Sequence, residues 1–182
     1  WEEIYSMGRD TDPPPSPVRN IAEYERMQGV LIRYPFGIST DIISEIYQDL
    51  TIYCLVSLNQ QNNANSVLEN SGVNMENVDF VIGPTDSYWT RDYGPWWIVD
   101  GNNDISIADF TYNRPRQNDN EAPLKMSNHL DVSYYATDLI HAGGNYMTDG
   151  LGIAASSDLV YDENLISEDD VDSIMQAYYG ID

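Results

Sequence analysis

The segment PTDSYWTRDYGP at 84–95 concentrates side chains that a simple turn has no need of. Asp86, Tyr88, Trp89, Arg91, Asp92 and Tyr93 fall within eight residues, bounded by Pro84 and by Gly94-Pro95. A carboxylate beside an indole suits a planar cation: the carboxylate accepts two parallel N–H bonds and the ring covers the cation's face. The same residues also suit a purely structural loop, pinned by an internal ion pair from Arg91 to an Asp and by aromatic packing. A second cluster is Arg114-Pro115-Arg116, where proline fixes the backbone between two forked guanidiniums that match a carboxylate or a phosphate. Two structural ion-pair partners are the plainer reading of that pair. A third is GGNYMTDG at 143–150, whose paired glycines permit positive φ or close backbone approach to a ligand. It has neither the lysine of a phosphate-binding loop nor the spacing of a dinucleotide fingerprint.

Other chemistry is excluded by what the chain lacks. Cys54 is the single cysteine, which rules out an internal disulfide and a cysteine zinc site. It lies within the apolar run TIYCLVSL and reads as an inert core residue. His129 and His141 are the only imidazoles and are too far apart for paired zinc ligands. No EF-hand loop and no Gly-x-Ser-x-Gly elbow occurs, so no metal and no cofactor is expected. With 30 acidic residues against 8 basic ones, the net charge is -22. That argues against nucleic acid and against an anionic membrane surface, since both need clustered Lys and Arg. No run reaches the length of a membrane span. The acid excess keeps the surface soluble and permits an extracellular setting without requiring one.

The elements that must position these clusters follow from periodicity. Residues 10–19, DTDPPPSPVR, read as an extended lead-in, with organised structure from Glu23. GVLIRY at 29–34 is a strand closed by Pro35. Ser39 or Thr40 caps a helix with Ile42, Ile43, Ile46, Tyr47 and Leu50 on one face. TIYCLVSL at 51–58 is a buried strand, 60–71 a helix stopped by Gly72, and VDFVIG at 78–83 a third strand. This alternation is an α/β pattern with a partly parallel sheet, and such folds place ligands in loops beyond strand C-terminal ends. WWIVDGNNDISIADFTY reads as a hairpin, 113–123 as a loop, 124–132 as a short helix, and 134–140 and 153–161 as strands. Ser167 with Asp170 makes a capping box for a last helix with Val171, Ile174, Met175 and Tyr178 on its apolar face. Gly180 closes it.

Four segments together carry a resemblance: EYERMQGVLIRYP at 23–35, PTDSYWTRDYGPWWIVD at 84–100, YNRPRQND at 112–119 and GGNYMTDG at 143–150. The chain resembles the Porphyromonas-type peptidylarginine deiminases and, more distantly, the agmatine deiminases. The resemblance implies a pentein (α/β-propeller) fold and hydrolysis of a guanidinium, arginine to citrulline with release of ammonia. It implies that Asp92 is the first guanidinium-binding carboxylate and Trp89 the aromatic wall. It further implies that Arg114 and Arg116 meet the substrate backbone and terminal carboxylate, so that arginine-containing peptides, C-terminal arginine above all, are the partners. Tyr88, Gly144 and Asn145 are implied to line the site. Secretion is implied too. An agmatine deiminase and a non-catalytic arginine-binding module are the alternatives; agmatine's free amine calls for an acid rather than two arginines.

The family's proton-transfer His-x-Asp and its late nucleophilic Cys are not matched. His129 precedes GGNYMTDG, and Cys54 comes far too early. Residues 1–22 therefore read as a proline-rich lead-in and 23–182 as part of a catalytic domain whose C-terminal half is its missing partner. The start at Trp1, with no signal-like n-region, leaves open whether a signal peptide was removed or never present. The 182-residue chain alone is expected to be inactive.

Overall fold

The computed structural model describes residues 1–182, which divide into two compact units. One consists of Trp1–Glu25 with Arg91–Asp182, the other of Arg26–Thr90. The lead-in contributes α1 (Glu2–Tyr5) and the short strand β1 (Arg19–Asn20) to the first of these.

The Arg26–Thr90 unit is built from β2 (Gly29–Arg33), α2 (Thr40–Ile46), β3 (Thr51–Val56), α3 (Gln61–Asn70) and β4 (Val78–Ile82). The strands run parallel in the order β2-β3-β4, with Ile32, Cys54 and Phe80 in register. Parallel neighbours require crossovers, and α2 and α3 supply them. α2 starts where the Ser39 side chain accepts a hydrogen bond from the Asp41 amide at 3.2 Å. It buries Ile43, but Ile42, expected on the same apolar face, is exposed, and the helix ends at Ile46, short of Leu50. β3 ends at Val56, two residues earlier than its apolar run suggests, because Leu58–Gln60 already turn as a 3-10 helix. Ile32, Ile43, Ile52, Cys54, Val56, Ala64, Leu68 and Val73 form the core. Truncating Leu68, which has no exposed surface, to Ala costs about 2–5 kcal/mol.

The larger unit carries a four-stranded sheet in the order β1-β5-β6-β7. The one-turn helix α4 (Thr90–Tyr93), within the segment read as a loop, leads into β5 (Trp96–Val99). β5 and β6 (Ile105–Tyr112) form the expected antiparallel hairpin. Its turn is organised by the buried Asp100, whose carboxylate accepts from the amides of Asn102 and Asp104. β6 then pairs in parallel with β7 (Tyr134–His141), and α5 (Gln117–Asn120) and α6 (Ala122–Leu130) lie in the connection. The stretch 113–123 is thus partly helical. α6 begins two residues before the expected 124, because Pro123 is well suited to a first helical turn.

The expected strand at 153–161 is corrected. Only β9 (Ala154–Ala155) is extended, paired with β8 (Met147–Thr148), and Leu159–Asn164 form α7. The outer edge of β7 is already occupied. Asn164 accepts from the Ile140 amide at 2.6 Å and donates to its carbonyl at 2.8 Å. Thr11 pairs with Ala136 through its amide and hydroxyl. Val160 of α7 packs instead with Leu139 and Val171. α8 (Glu168–Tyr179) begins on the Ser167–Asp170 capping box, with acid in its first turn where the helix dipole favours it. It ends at Gly180 with φ +65, where a Cβ would overlap the Val18 carbonyl.

Candidate functional site

Asp92 lies half-buried on α4, and the paired glycines set its surroundings. A Cβ on Gly144 would stand 2.6 Å from Asp92 Oδ1, and one on Gly143 would overlap the Arg91 carbonyl. Gly143 therefore lets the 143–145 turn run against the Arg91 backbone, a close approach no larger residue permits, and Gly144 leaves room for the Asp92 carboxylate. Arg91 ties the two segments together. Its Nε donates to the Gly143 carbonyl at 2.9 Å and its Nη2 to the Tyr146 carbonyl at 2.6 Å. Nη1 pairs with the Glu23 carboxylate, and the guanidinium sits 5.1 Å from the Trp96 ring centroid. Arg91 is thus a brace, and its ion pair is with Glu23 rather than with an Asp of its own loop. Asn145 is turned away to accept from the Ser157 amide at 2.9 Å, so it positions the turn; Gly144 is exposed beside Asp92.

The second element of the site is the end of β6. Tyr112 is buried there, its ring edge-on to Tyr93 at 5.9 Å. Arg116 Nη1 donates to the Tyr112 hydroxyl at 3.5 Å. The phenol's pKa is raised, first by burial and next by the negative charge of Asp92, while Arg116 pulls it down. Asp92 and Arg116 therefore act on one phenol, although 24 residues of sequence part them (116 − 92). Arg114 is exposed on the same loop and donates to the Asn113 carbonyl at 2.7 Å.

That loop is held rigidly from below. Asn113 Nδ2 donates to both oxygens of the buried Glu163, at 3.0 and 3.1 Å. Burial pushes the Glu163 carboxyl up, and Asn113 and Arg114 hold it down. The Tyr112 amide donates to Asn120 Oδ1 at 2.8 Å, and the Asn113 amide to the His141 carbonyl at 3.1 Å. The roles of Tyr112, Asn113 and Glu163 were not singled out from sequence. The Tyr and Asn of YNRPR precede the arginines directly, but Glu163 has no sequence cue.

Tyr88 and Trp89 belong to the Arg26–Thr90 unit, four and three residues before Asp92 in the chain. Their rings are 4.9 Å apart and both are about half exposed, 52% and 47%. Gly37 makes room for Tyr88, since a Cβ there would fall 2.5 Å from the Tyr88 Cβ. Asp92, Arg114, Arg116, Gly144 and Asn145 all belong to the larger unit.

The remaining reactive groups lie elsewhere. Cys54 has no exposed surface, and burial pushes its thiol up to about 12. His129 is exposed on α6. Burial lowers the His141 pKa to about 4, and its Nδ1 meets no protein partner. Beside His141 lies a cavity of about 410 Å³ bordered by Tyr146, Val160 and Met175, and none of the site residues expected from sequence lines it. No group of three or more His, Cys, Asp or Glu could hold a metal ion, and no helix is long and apolar enough to cross a membrane.

Comparison with solved proteins defines the class. The Campylobacter jejuni agmatine deiminase superposes with a TM-score of 0.72 at 21% identity, over 90% of this chain and 53% of that one. The agmatine deiminase of Enterococcus faecalis gives 0.79 at 18%, over 96% and 55%. These likenesses establish the α/β pentein fold of the guanidino-group deiminases. The agmatine deiminase of Ectopseudomonas mendocina is 23% identical over 158 residues, 79% of this chain and 42% of that protein. The profile of the Porphyromonas-type peptidyl-arginine deiminases matches residues 21–182, and the chain belongs to that family of hydrolytic deiminases. It spans about two fifths of the curated relatives and just over half of the solved chains it matches.

Proposed function

We propose that this chain supplies the guanidinium-binding carboxylate and the tail-recognition arginines of a guanidino-group hydrolase. In that reaction water adds to the guanidinium carbon, one C–N bond breaks, and the nitrogen leaves as ammonia. The observation that carries the reading is the assembly of Asp92, Gly144, Tyr112 and Arg116 within one unit, with Trp89 three residues before Asp92. A carboxylate accepts guanidinium N–H pairs in a geometry that few other acceptors offer.

Two readings of the substrate's tail stand. The relatives' names support agmatine. The Arg114–Arg116 loop favours arginine with a free carboxylate, as in a peptide ending in arginine. Agmatine ends in an ammonium that two guanidiniums repel, whereas a carboxylate gains charge-assisted hydrogen bonds worth about 1.5–3 kcal/mol each. We further propose that the nucleophile lies outside these 182 residues, because Cys54, the single cysteine, has no exposed surface.

The test is kinetic. In the complete protein, Arg114→Ala or Arg116→Ala is expected to lower kcat/KM about tenfold or more for peptides ending in arginine and to spare internal-arginine peptides. Asp92→Asn is expected to damage every guanidino substrate alike. Undiminished agmatine turnover with no activity on either peptide class supports the agmatine reading. The 182-residue chain alone is expected to release no ammonia; release that vanishes with Cys54→Ser overturns the placement of the nucleophile.

A further inference from the structure

Tyr88 and Trp89 leave about half their surface to solvent, so burial alone does not fix the angle at which either ring stands. Their contact at 4.9 Å ties the two rings together, and Gly37 sets the place of Tyr88. A Cβ on Gly37 would stand 2.5, 2.6 and 2.9 Å from the Tyr88 Cβ, Cγ and Cδ2. These atoms are the root of the side chain, so turning the far end of the ring does not relieve the overlap. The segment around Gly37 is itself anchored. Tyr34 and Phe36, edge-on to each other at 5.0 Å, pack on the core of the Arg26–Thr90 unit. The loop that carries the aromatic pair is anchored as well, since the Gly83 amide donates to the Val56 carbonyl at 2.9 Å. Arg33, the last residue of β2, donates from Nε to the Thr85 hydroxyl at 2.8 Å and from Nη2 to the Thr85 carbonyl at 3.2 Å. Its Nη1 donates to the Pro35 carbonyl at 2.9 Å. One guanidinium thus joins the segment after β2 to the segment after β4, and neither moves away from the Gly37–Tyr88 contact without losing hydrogen bonds.

We propose that Gly37 and Tyr88 are positioning residues that hold the Trp89 ring at the angle at which it covers the substrate guanidinium, with Arg33 and Thr85 fixing the loop that carries both rings. The inference rests on the guanidino-group reading above, in which the indole of Trp89 lies over the cation's face. A ring that offers one face to a ligand cannot bury that face, so it must be held through its other contacts. Tyr88 supplies such a contact, and Gly37 supplies the space in which Tyr88 stands. Attack on the trigonal guanidinium carbon comes along the normal to its plane. The tilt of the wall therefore bears on kcat as well as on KM.

Gly37→Ala tests this through the chain Gly37–Tyr88–Trp89. Gly37 is exposed and outside any helix or strand, so the fold is expected to survive the added methyl. The complete protein is assayed as wild type, Gly37→Ala, Trp89→Leu, the Gly37→Ala/Trp89→Leu double variant and Asp92→Asn. Substrates are a peptide ending in arginine and agmatine. The expected result for Gly37→Ala is a fall of roughly tenfold or more in kcat/KM on each substrate turned over, with kcat lowered and Tm little changed. In the Trp89→Leu background the same change is expected to cost almost nothing, because the ring through which it acts is gone. An equal cost in both backgrounds would show a general effect on the loop and overturn the inference. Wild-type kinetics for Gly37→Ala, with Trp89→Leu and Asp92→Asn impaired, overturn it too and leave the functional reading standing. Full activity of Trp89→Leu removes the wall and overturns the inference alone; full activity of Asp92→Asn overturns the functional reading as well. Should Gly37→Ala fail to fold, Tyr88→Ala and Tyr88→Phe take its place in the same cycle. Phenylalanine keeps the ring and is expected to retain most of what alanine loses, and equal losses for the two overturn the inference.

Discussion

Tyr134 donates its phenolic hydrogen to Asp109 at 2.6 Å, across the parallel pair β6 and β7. Asp109 is buried and stands beside the irregularity in that pairing, between Asp109 and Thr111. Its carboxylate also accepts from the Phe110 amide at 2.9 Å. Burial nonetheless dominates and raises the carboxyl to about 7, against the pull of Tyr134, Arg9 and the Phe110 amide.

The consequence is a pH-dependent stability with a definite sign. A raised carboxyl pKa means that the folded chain binds a proton the unfolded chain has released. Stability from this group is full below the ordinary value of 3.8 and is lost as pH rises through about 7. Asp109→Asn keeps an acceptor for Tyr134 and removes the charge, so it is expected to raise Tm at pH 8 and to flatten this slope. An Asp109→Asn variant less stable than wild type at pH 8 would show that the ionised carboxylate is well accommodated.

His141 acts in the opposite direction. Its folded pKa lies near 4 against an ordinary 6.5, because burial penalises the imidazolium. Its stability is present above 6.5 and lost as pH falls through about 4. The Phe110 and Tyr146 rings pack on it at 5.3 and 5.8 Å, so His141→Phe suits the site. Urea unfolding of this variant is expected to lose the acid-side fall in midpoint. The two slopes oppose one another between the ordinary Asp and His values, so only the single variants separate them.

Gly144→Ala puts a methyl 2.6 Å from Asp92 Oδ1. Gly144 is exposed, so the fold is expected to survive while the carboxylate is displaced. The expected outcome in the complete protein is a fall of about tenfold or more in kcat/KM on every guanidino substrate, with Tm little changed. Unchanged kinetics would mean that Asp92 is free to move aside without loss.

Cys54 is expected to label only through unfolding. It has no exposed surface, and burial keeps the thiol protonated at neutral pH. Its rate of reaction with a disulfide reagent is expected to follow the unfolded fraction across a urea series. Labelling of the native chain at the rate of free cysteine would contradict this.

Much of the framework was legible in the sequence because the forces that make it act over a few residues. The apolar run at 51–58 marked an inner strand, of which β3 takes Thr51–Val56, Ser167 and Asp170 are three residues apart, and Gly180 announces the end of α8. The GNND turn likewise fixed the β5–β6 hairpin. The sequence also pointed to Asp92 and Arg116 as residues able to meet a guanidinium and a carboxylate. What it could not determine were partners far apart in the chain. Arg91 was read with an Asp of its own loop, but its ion pair is with Glu23, 68 residues earlier. Leu159-Val160-Tyr161 has the composition of a strand, yet it is helical, because Asn164 had taken the hydrogen bonds at the edge of β7 on which a strand would form. Tyr112 stood at the end of the hairpin and the head of YNRPRQND without a role assigned to it. Only the tertiary structure places its hydroxyl under the influence of both Asp92 and Arg116, since ion pairing and desolvation depend on distance in space rather than on spacing along the chain.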